Sequence, residues 1–424
     1  MNLSALENKR VAIWGMGREG QTSLAFLKQH FPDQNFIIIN RDPVDTEETF
    51  ISENEMLAHL DEIDIVIKSP GISYYHNHVS KLIEAGVTVT SATNIWFSLP
   101  KAGTVIAITG SNGKSTTSAL THHILTQLGK NAELGGNIGT PLLSLPLDAQ
   151  YYVVELSSYQ TCDMTGVPDI AMLLNLYPEH IQWHKSHAQY YQDKCNLLRR
   201  GAYINIVNHN EPPTRDIAER SISFYNEEAI HFKNSSMMDG DTVIGTIDGF
   251  PLLGDHNLEN LSAALTICKQ LNLDLEKCLE AAKSYPGLPH RLQIFGPYKG
   301  HMFVNDSIST DPEATIAALN ALKDKNVTLI VGGEDREQNY SELAKAIEST
   351  GTKSICAYET GPRLFDMIKS NDKYRAETLE AAVIKAKEIT EEGGYILLSP
   401  AAPSYDAFKD FEERGNLFMT YATA

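Results

Sequence analysis

Residues 105–117 read V-I-A-I-T-G-S-N-G-K-S-T-T and bring together the side chains that handle phosphate. Gly110, Ser111, Asn112 and Gly113 form a small turn that lets backbone amides approach an anion closely. Lys114 is placed to reach β- and γ-phosphates, and Ser115 or Thr116 to ligand Mg²⁺. The pattern is an incomplete G-x-x-x-x-G-K-[ST], because Ile108 stands where the first glycine belongs. Two more groups could join this chemistry. Glu155 ends the apolar run 151–156, where a buried carboxylate is costly unless paired or metal-bound. His180 lies in the loop after the apolar run 169–176, on the side of the phosphate loop. A lone histidine in such a loop is usually a hydrogen-bonded surface group, and this placement raises the odds of a metal role. Lys194, by itself, reads as an ordinary helix lysine.

The elements that must position these groups follow from the apolar periodicity. Residues 105–108 read as a buried strand and residues 114–124 as the helix that receives the phosphate. Near the N-terminus, residues 9–14 read as a strand running into Gly15-Met16-Gly17-Arg18-Glu19-Gly20, then a helix over 21–30. This is G-x-G-x-x-G in its strand–turn–helix setting. A second strand, 36–39, ends at Asn40 and Arg41, where a dinucleotide fingerprint wants an acidic residue. NAD is therefore disfavoured, while a nucleotide site and a purely structural turn both stay open. A third strand, 63–67, runs into Lys68-Ser69-Pro70-Gly71. Residues 254–260 precede a helix at 263–271. After the Pro/Gly-punctuated stretch 285–291, strands are expected at 301–304, 327–331, 354–357 and 395–398. Helices are expected at 312–322, 340–348, 379–391 and 405–418.

The expected architecture is α/β in three domains. These are a Rossmann-like unit over 1–92, a central phosphate-loop ATPase-like domain over 93–287, and a second Rossmann-like unit over 288–424. The chain has 424 residues, 42% of them hydrophobic, enough for several cores, and a net charge of −19. That charge argues against nucleic acid or an anionic membrane as partner. The five cysteines show no metal-ligand spacing, and no apolar run is long enough to span a membrane. Three bodies offering loops to one cleft suggest a ligase or kinase in the cytoplasm. An NAD-dependent oxidoreductase and a non-catalytic nucleotide-binding module are the competing classes.

The motifs T-G-S-N-G-K-S-T-T, G-G-N-I-G, E-L-S-S-Y-Q, G-L-P-H-R and N-D-S occur in this order. With the closing L-S-P-A-A-P-S-Y-D-A-F-K-D-F-E-E-R-G-N-L-F they resemble the Mur ligases across nearly the whole chain, and specifically the members that add glutamate. The resemblance implies an ATP-dependent ligase that joins glutamate to UDP-N-acetylmuramoyl-L-alanine in peptidoglycan precursor synthesis, acting as a monomer. It implies Lys114, His180 and Lys194 as catalytic residues. Two Mg²⁺ would be held by Ser115, Glu155, His180 and a carbamate on Lys194. Asn257, Arg291 and Asp306 would hold ATP together with residues 110–116. Gly15, Met16, Gly17, Arg18, Asn40, Arg41, Ser69, Gly71, Asn137 and Ser157 would hold the UDP-sugar. Thr310, Arg336, Ser404 and Phe411 would meet the glutamate. D-glutamate is the family default, with an L-glutamate-adding branch as the alternative. Ile308 stands where the D-glutamate members have a lysine, and Arg336 also departs from their pattern. The stretches W-G-M-G-R-E-G and N-D-S-I-S-T resemble the L-glutamate branch.

Overall fold

The computed structural model describes residues 2–177, 179–211 and 215–424, so Pro178, in the loop before His180, lies outside the described residues. Two compact units emerge. One holds residues up to Phe250 together with Leu258–Tyr285, the other Pro251–Asn257 with Pro286–Ala424.

The first unit contains two parallel sheets and a small antiparallel one. In the N-terminal sheet the strands lie in the order Thr49–Ser52, Ile37–Asn40, Val11–Trp14, Ile65–Lys68, Thr88–Thr90, all parallel. Ile37–Asn40 and Val11–Trp14 are β-branched or aromatic at most positions and nearly continuously apolar, as strands covered on both faces must be. The helix Arg18–His30 returns across this sheet and begins right at the glycine loop, three residues earlier than periodicity predicts. The central sheet orders its strands Ile222–Phe224, Ile204–Asn208, Ile170–Leu173, Thr104–Thr109, Tyr151–Glu155, Ala132–Gly136. Thr104–Thr109 is flanked by Ile170–Leu173 and Tyr151–Glu155, so the loops after these three strands emerge side by side. One buried cluster joins Ile13, Phe26 and Leu27 of the first sheet region to Leu142, Tyr152 and Leu173 of the second. The third sheet pairs Ile230–Lys233, Ser236–Asp239 and Thr242–Thr246.

The second unit holds a six-stranded sheet in the order Gln293–Tyr298, His301–Asn305, Tyr395–Leu398, Val327–Val331, Lys353–Ala357, Lys373–Ala376. Only Gln293–Tyr298 is antiparallel. Two expected helices are corrected. The last helix is Phe411–Thr423, because the Asp410 side chain caps the Glu413 amide and Glu412 and Glu413 then sit in the first turn. Residues 405–410 precede it as turn and bend. The helix expected at 263–271 is Asp255–Gln270, so Asn257 stands within its first turn and not in a preceding cap.

Candidate active site

The phosphate loop is shaped by its contacts before any ligand arrives. Gly113 has φ 79° and caps the helix Lys114–Gln127. A Cβ there would lie 2.3 Å from Asn260 Oδ1, so only glycine fits. The Ser111 amide donates to the Asn175 carbonyl and the Asn112 amide to Asn175 Oδ1, tying the loop to the end of the neighbouring strand. Ser111 Oγ is 2.6 Å from the Tyr190 hydroxyl and accepts from the Tyr177 amide at 2.7 Å. The first-turn amides of the helix, which have no intrahelical acceptor, then point at whatever anion enters.

Four charged or metal-ligating groups converge on this loop. Lys114 folds back to donate to the Ser111 carbonyl at 2.6 Å. Lys194, 1% exposed, donates to the Gly110 carbonyl at 2.6 Å. Burial first, and the neighbouring Lys114 charge second, push the Lys194 amine well below its ordinary range. Glu155 is fully buried at the end of its strand. Its Oε1 accepts from Asn137 Nδ2 at 2.6 Å, and its Oε2 has no hydrogen-bond partner. His180 sits in the left-handed region at φ 52° and opens the short helix Ile181–His184. Its imidazole is pushed down chiefly by burial, with Glu179 opposing and Lys114 and Lys194 reinforcing. The bare buried carboxylate oxygen of Glu155 and the hydroxyl of Ser115, in the first turn of the helix, are oxygen donors of the kind Mg²⁺ takes, whereas the His180 imidazole is a less usual ligand for it. Thr116 is buried in the first turn of the helix.

Behind Lys194 lies a buried chain of polar groups that motif reading missed. His184 Nδ1 is 2.6 Å from Asp193 Oδ2, His184 Nε2 is 3.0 Å from Ser158 Oγ, and the Tyr75 hydroxyl donates to Asp193 Oδ1 at 2.7 Å. Ser-His-Asp is the order of a hydrolytic triad, but Ser158 and His184 are sealed from solvent and no acyl group can reach the hydroxyl. The chain works as a strut. It fixes the helix His187–Arg199, and with it Lys194, against the helix Ser158–Cys162.

The N-terminal glycine loop uses its three glycines differently. Gly15 has φ 93°, Gly17 caps the helix with open space where a Cβ would stand, and a Cβ on Gly20 would fall 1.9 Å from the Gly15 carbonyl. Asn40 Oδ1 accepts from the Met16 amide at 3.2 Å, and Ser69 Oγ donates to the Gly15 carbonyl at 2.8 Å. Arg18 donates to the Gly139 carbonyl. Arg41 and Gly71 are exposed. Lys68, to which the motif reading gives no role, is buried. Its Nζ donates to the Ile72 carbonyl at 2.9 Å and faces Asp163 at 3.9 Å, so it shapes the Ser69–Gly71 turn from inside. Glu19 accepts from Gln160 Nε2, and burial raises its carboxyl to about 7. Ser157 closes a capping box with the same Gln160.

In the second unit, Asp306 is a buried hub. It accepts from the hydroxyls of Ser309 and Ser399 and from the Leu292 amide, and burial raises it to about 6. Arg291 is exposed, and the Thr310 carbonyl accepts from Gln338. Arg336 is exposed, pairs with Glu334 at 2.9 Å and lies over the Tyr405 ring. Ser404 is buried at the start of the 404–410 turn, and the Phe411 carbonyl accepts from Ser307 Oγ. Arg414, fully buried and unanticipated, donates to Ser307 Oγ and to the carbonyls of Ser307, Ala402 and Pro403. No local pattern marks it, because all its acceptors are distant in sequence.

The sequence matches the family models described as Mur ligase middle domain, over residues 108–268, and Mur ligase, glutamate ligase domain, over residues 290–402. It is 34% identical to the UDP-N-acetylmuramoyl-L-alanine--L-glutamate ligase of a Micromonospora species, over 99% of this chain and 97% of the relative. It is 35% identical to the protein of the same name from Xanthomonas euvesicatoria, over 100% of this chain and 97% of the relative. The fold is similar to that of MurC from Thermotoga maritima, with TM-score 0.61 and 17% identity over 97% of this chain and 99% of that one. It is also similar to that of MurF from Thermotoga maritima in complex with ADP, with TM-score 0.59 and 16% identity over 98% and 96%.

Proposed function

The chain belongs to the Mur ligase family, and from that premise we propose that it joins glutamate to UDP-N-acetylmuramoyl-L-alanine at the expense of ATP. The observation that carries this reading is full-length likeness to relatives of that name, combined with the cluster of Lys114, Glu155, His180 and Lys194 at a phosphate loop. ATP would lie with its phosphates on residues 110–116. Arg291, exposed on its own unit, would contribute to holding ATP, whereas Asp306 and Asn257 would act through the loops and helix they hold.

The reaction starts with two anions that repel, a triphosphate and a carboxylate. Lys114 would leave the Ser111 carbonyl and follow the γ-phosphoryl as it moves to the alanine carboxylate. The product of that transfer is an acyl phosphate and ADP. The glutamate amine then attacks the acyl carbon, loses a proton, and phosphate leaves as the amide forms. Mg²⁺ bound at Ser115, Glu155 and His180 would neutralise the transferring charge. Lys194 cannot ligand a cation as an ammonium. Its unprotonated amine adding to carbon dioxide, with loss of a proton, gives a carbamate, an anion that can. Burial and the neighbouring Lys114 charge, which favour the unprotonated amine, support that modification. The N-terminal loop would seat the diphosphate of the sugar nucleotide at Gly17, where space is open, with Asn40, Arg18 and Ser69 holding the loop's shape.

For the hand of the amino acid, the relatives' names move the reading from the D-glutamate default to L-glutamate. Ile308 offers no cation to a carboxylate, and Arg336, a planar bidentate donor, is the available replacement. The test is phosphate release from ATP with UDP-N-acetylmuramoyl-L-alanine and either D- or L-glutamate. Release with L-glutamate is expected. Release with D-glutamate alone would overturn the stereochemical assignment, and release with neither would overturn the reaction.

A further inference from the structure

Glu53, His76 and His78 come together in the first unit, and none of the three has a role above. Glu53 follows the strand Thr49–Ser52, and its amide donates to the Asn40 carbonyl. His76 caps the helix Asn77–Glu84, with Nδ1 accepting from the His78 amide at 3.2 Å. That leaves His76 Nε2 to face the Glu53 carboxylate at 4.0 Å. One ligand atom from each of the three residues lies within 4.8 Å of the others. His78 Nδ1 is shielded from solvent and has no hydrogen-bond partner, a costly state for a ring nitrogen. Trp14 walls one side, stacked on the His78 ring at 6.1 Å and edge-on to His76 at 5.6 Å.

We propose that Glu53, His76 and His78 form a binding site for a late first-row divalent cation of the Zn²⁺ type, with solvent completing the coordination. Two imidazoles and one carboxylate suit Zn²⁺ or Co²⁺, whereas Mg²⁺ and Ca²⁺ prefer oxygen throughout. Ligands about 2.1 Å from a tetrahedral Zn²⁺ stand roughly 3.4 Å from one another, so the cluster needs only a small inward side-chain rotation. The site is open to ions, since the His76 side chain is 40% exposed and the Glu53 side chain 20%. A bound ion would tie the end of one strand, beside Asn40, to the start of the helix Asn77–Glu84.

The experiment is calorimetric titration of the whole protein with Zn²⁺ in a Mg²⁺ buffer, repeated on His78→Gln and Glu53→Gln. One saturable Zn²⁺ per chain is expected in the parent, weakened by more than about tenfold in each variant. Zn²⁺ should also raise the melting temperature of the parent and not of the variants. Glu53→Gln keeps the His76 cap and both Trp14 contacts, so it carries the test should His78→Gln fail to fold. Absence of saturable binding in the parent would overturn the proposal. Equal binding by parent and variants would overturn it as well, because the ion would then reside on other histidines or cysteines.

Discussion

The loops at Gly15–Gly20 and Gly110–Gly113 are built on one plan, a parallel strand running through a glycine turn into a helix, yet their surroundings differ in kind. Around the first loop the polar contacts come from Asn40 and Ser69, Arg18 is turned to the Gly139 carbonyl, and the Glu19 carboxyl is raised to about 7. Around the second stand two lysines and a buried carboxylate with one bare oxygen. The backbone device that receives an anion is shared. On the proposed reading, what separates holding a phosphate from transferring one is the set of charged side chains that neighbouring strands deliver to the loop. In the second case those strands lie on both sides of Thr104–Thr109 and end together.

The largest expected break in this comparison is at Lys114. Lys114→Ala should cut ligation by on the order of 10²–10³ in kcat, with the melting temperature near the parent's, because a half-buried loop lysine contributes little to packing. Near-parental turnover would reduce the second loop to a holder like the first.

Lys194→Ala comes next, with a loss on the order of 10² in turnover that a small added carboxylate partly restores. Restoration is the discriminating signal. A lysine that served only to brace the Gly110 carbonyl would not be replaced by an anion.

On the first loop the contrast lies between two glycines. Gly20→Ala drives a Cβ into the Gly15 carbonyl and should destabilise the protein by about 3 kcal/mol or more, read by denaturant unfolding. Gly17→Ala meets open space and should leave stability unchanged while raising the KM for the UDP-sugar. An unchanged KM would make this loop a structural turn only.

The smallest effect concerns Glu19. Its folded pKa of about 7 lies above the ordinary value of 4.5, so the native state binds the proton more tightly. The resulting stabilisation is full at low pH and is lost as pH rises through about 7, amounting to at most about 3 kcal/mol. Glu19→Gln should flatten this slope in melting temperature between pH 5 and 8. A slope identical to the parent's would assign the pH dependence to other groups.

Much of this frame was legible in the sequence because it is local. Residues 105–117 hold strand, turn and helix in one run, and Val327–Val331 and Tyr395–Leu398 are apolar throughout and fall where the periodicity puts them. The strands Thr49–Ser52 and Lys373–Ala376 were missed, since each is short, edge-placed and half polar. The helix start at Phe411 was missed because aromatic spacing through 405–418 imitates a longer helix, while Asp410 as cap decides the matter. Lys68, His184, Asp193 and Arg414 gave no signal at all. Each is a polar residue whose burial depends at least in part on partners brought in from elsewhere in the chain, Asp163 for Lys68, Ser158 for His184, Tyr75 for Asp193 and Ser307 for Arg414, and such pairing leaves no periodic trace.

Arg414 has a consequence for how amino-acid choice can change. Its guanidinium takes three of its four acceptors from backbone carbonyls and clamps the Ser307 turn to the Ala402–Pro403 turn. The shape of both turns is thereby independent of the side chains they display. On the proposed reading of Ile308 as a neighbour of the amino acid, its exchange would leave these backbone bonds in place, so a changed preference would need no rebuilding of the turn. Replacing Arg414 itself would remove that freedom, because an ammonium cannot span four acceptors with a planar fork.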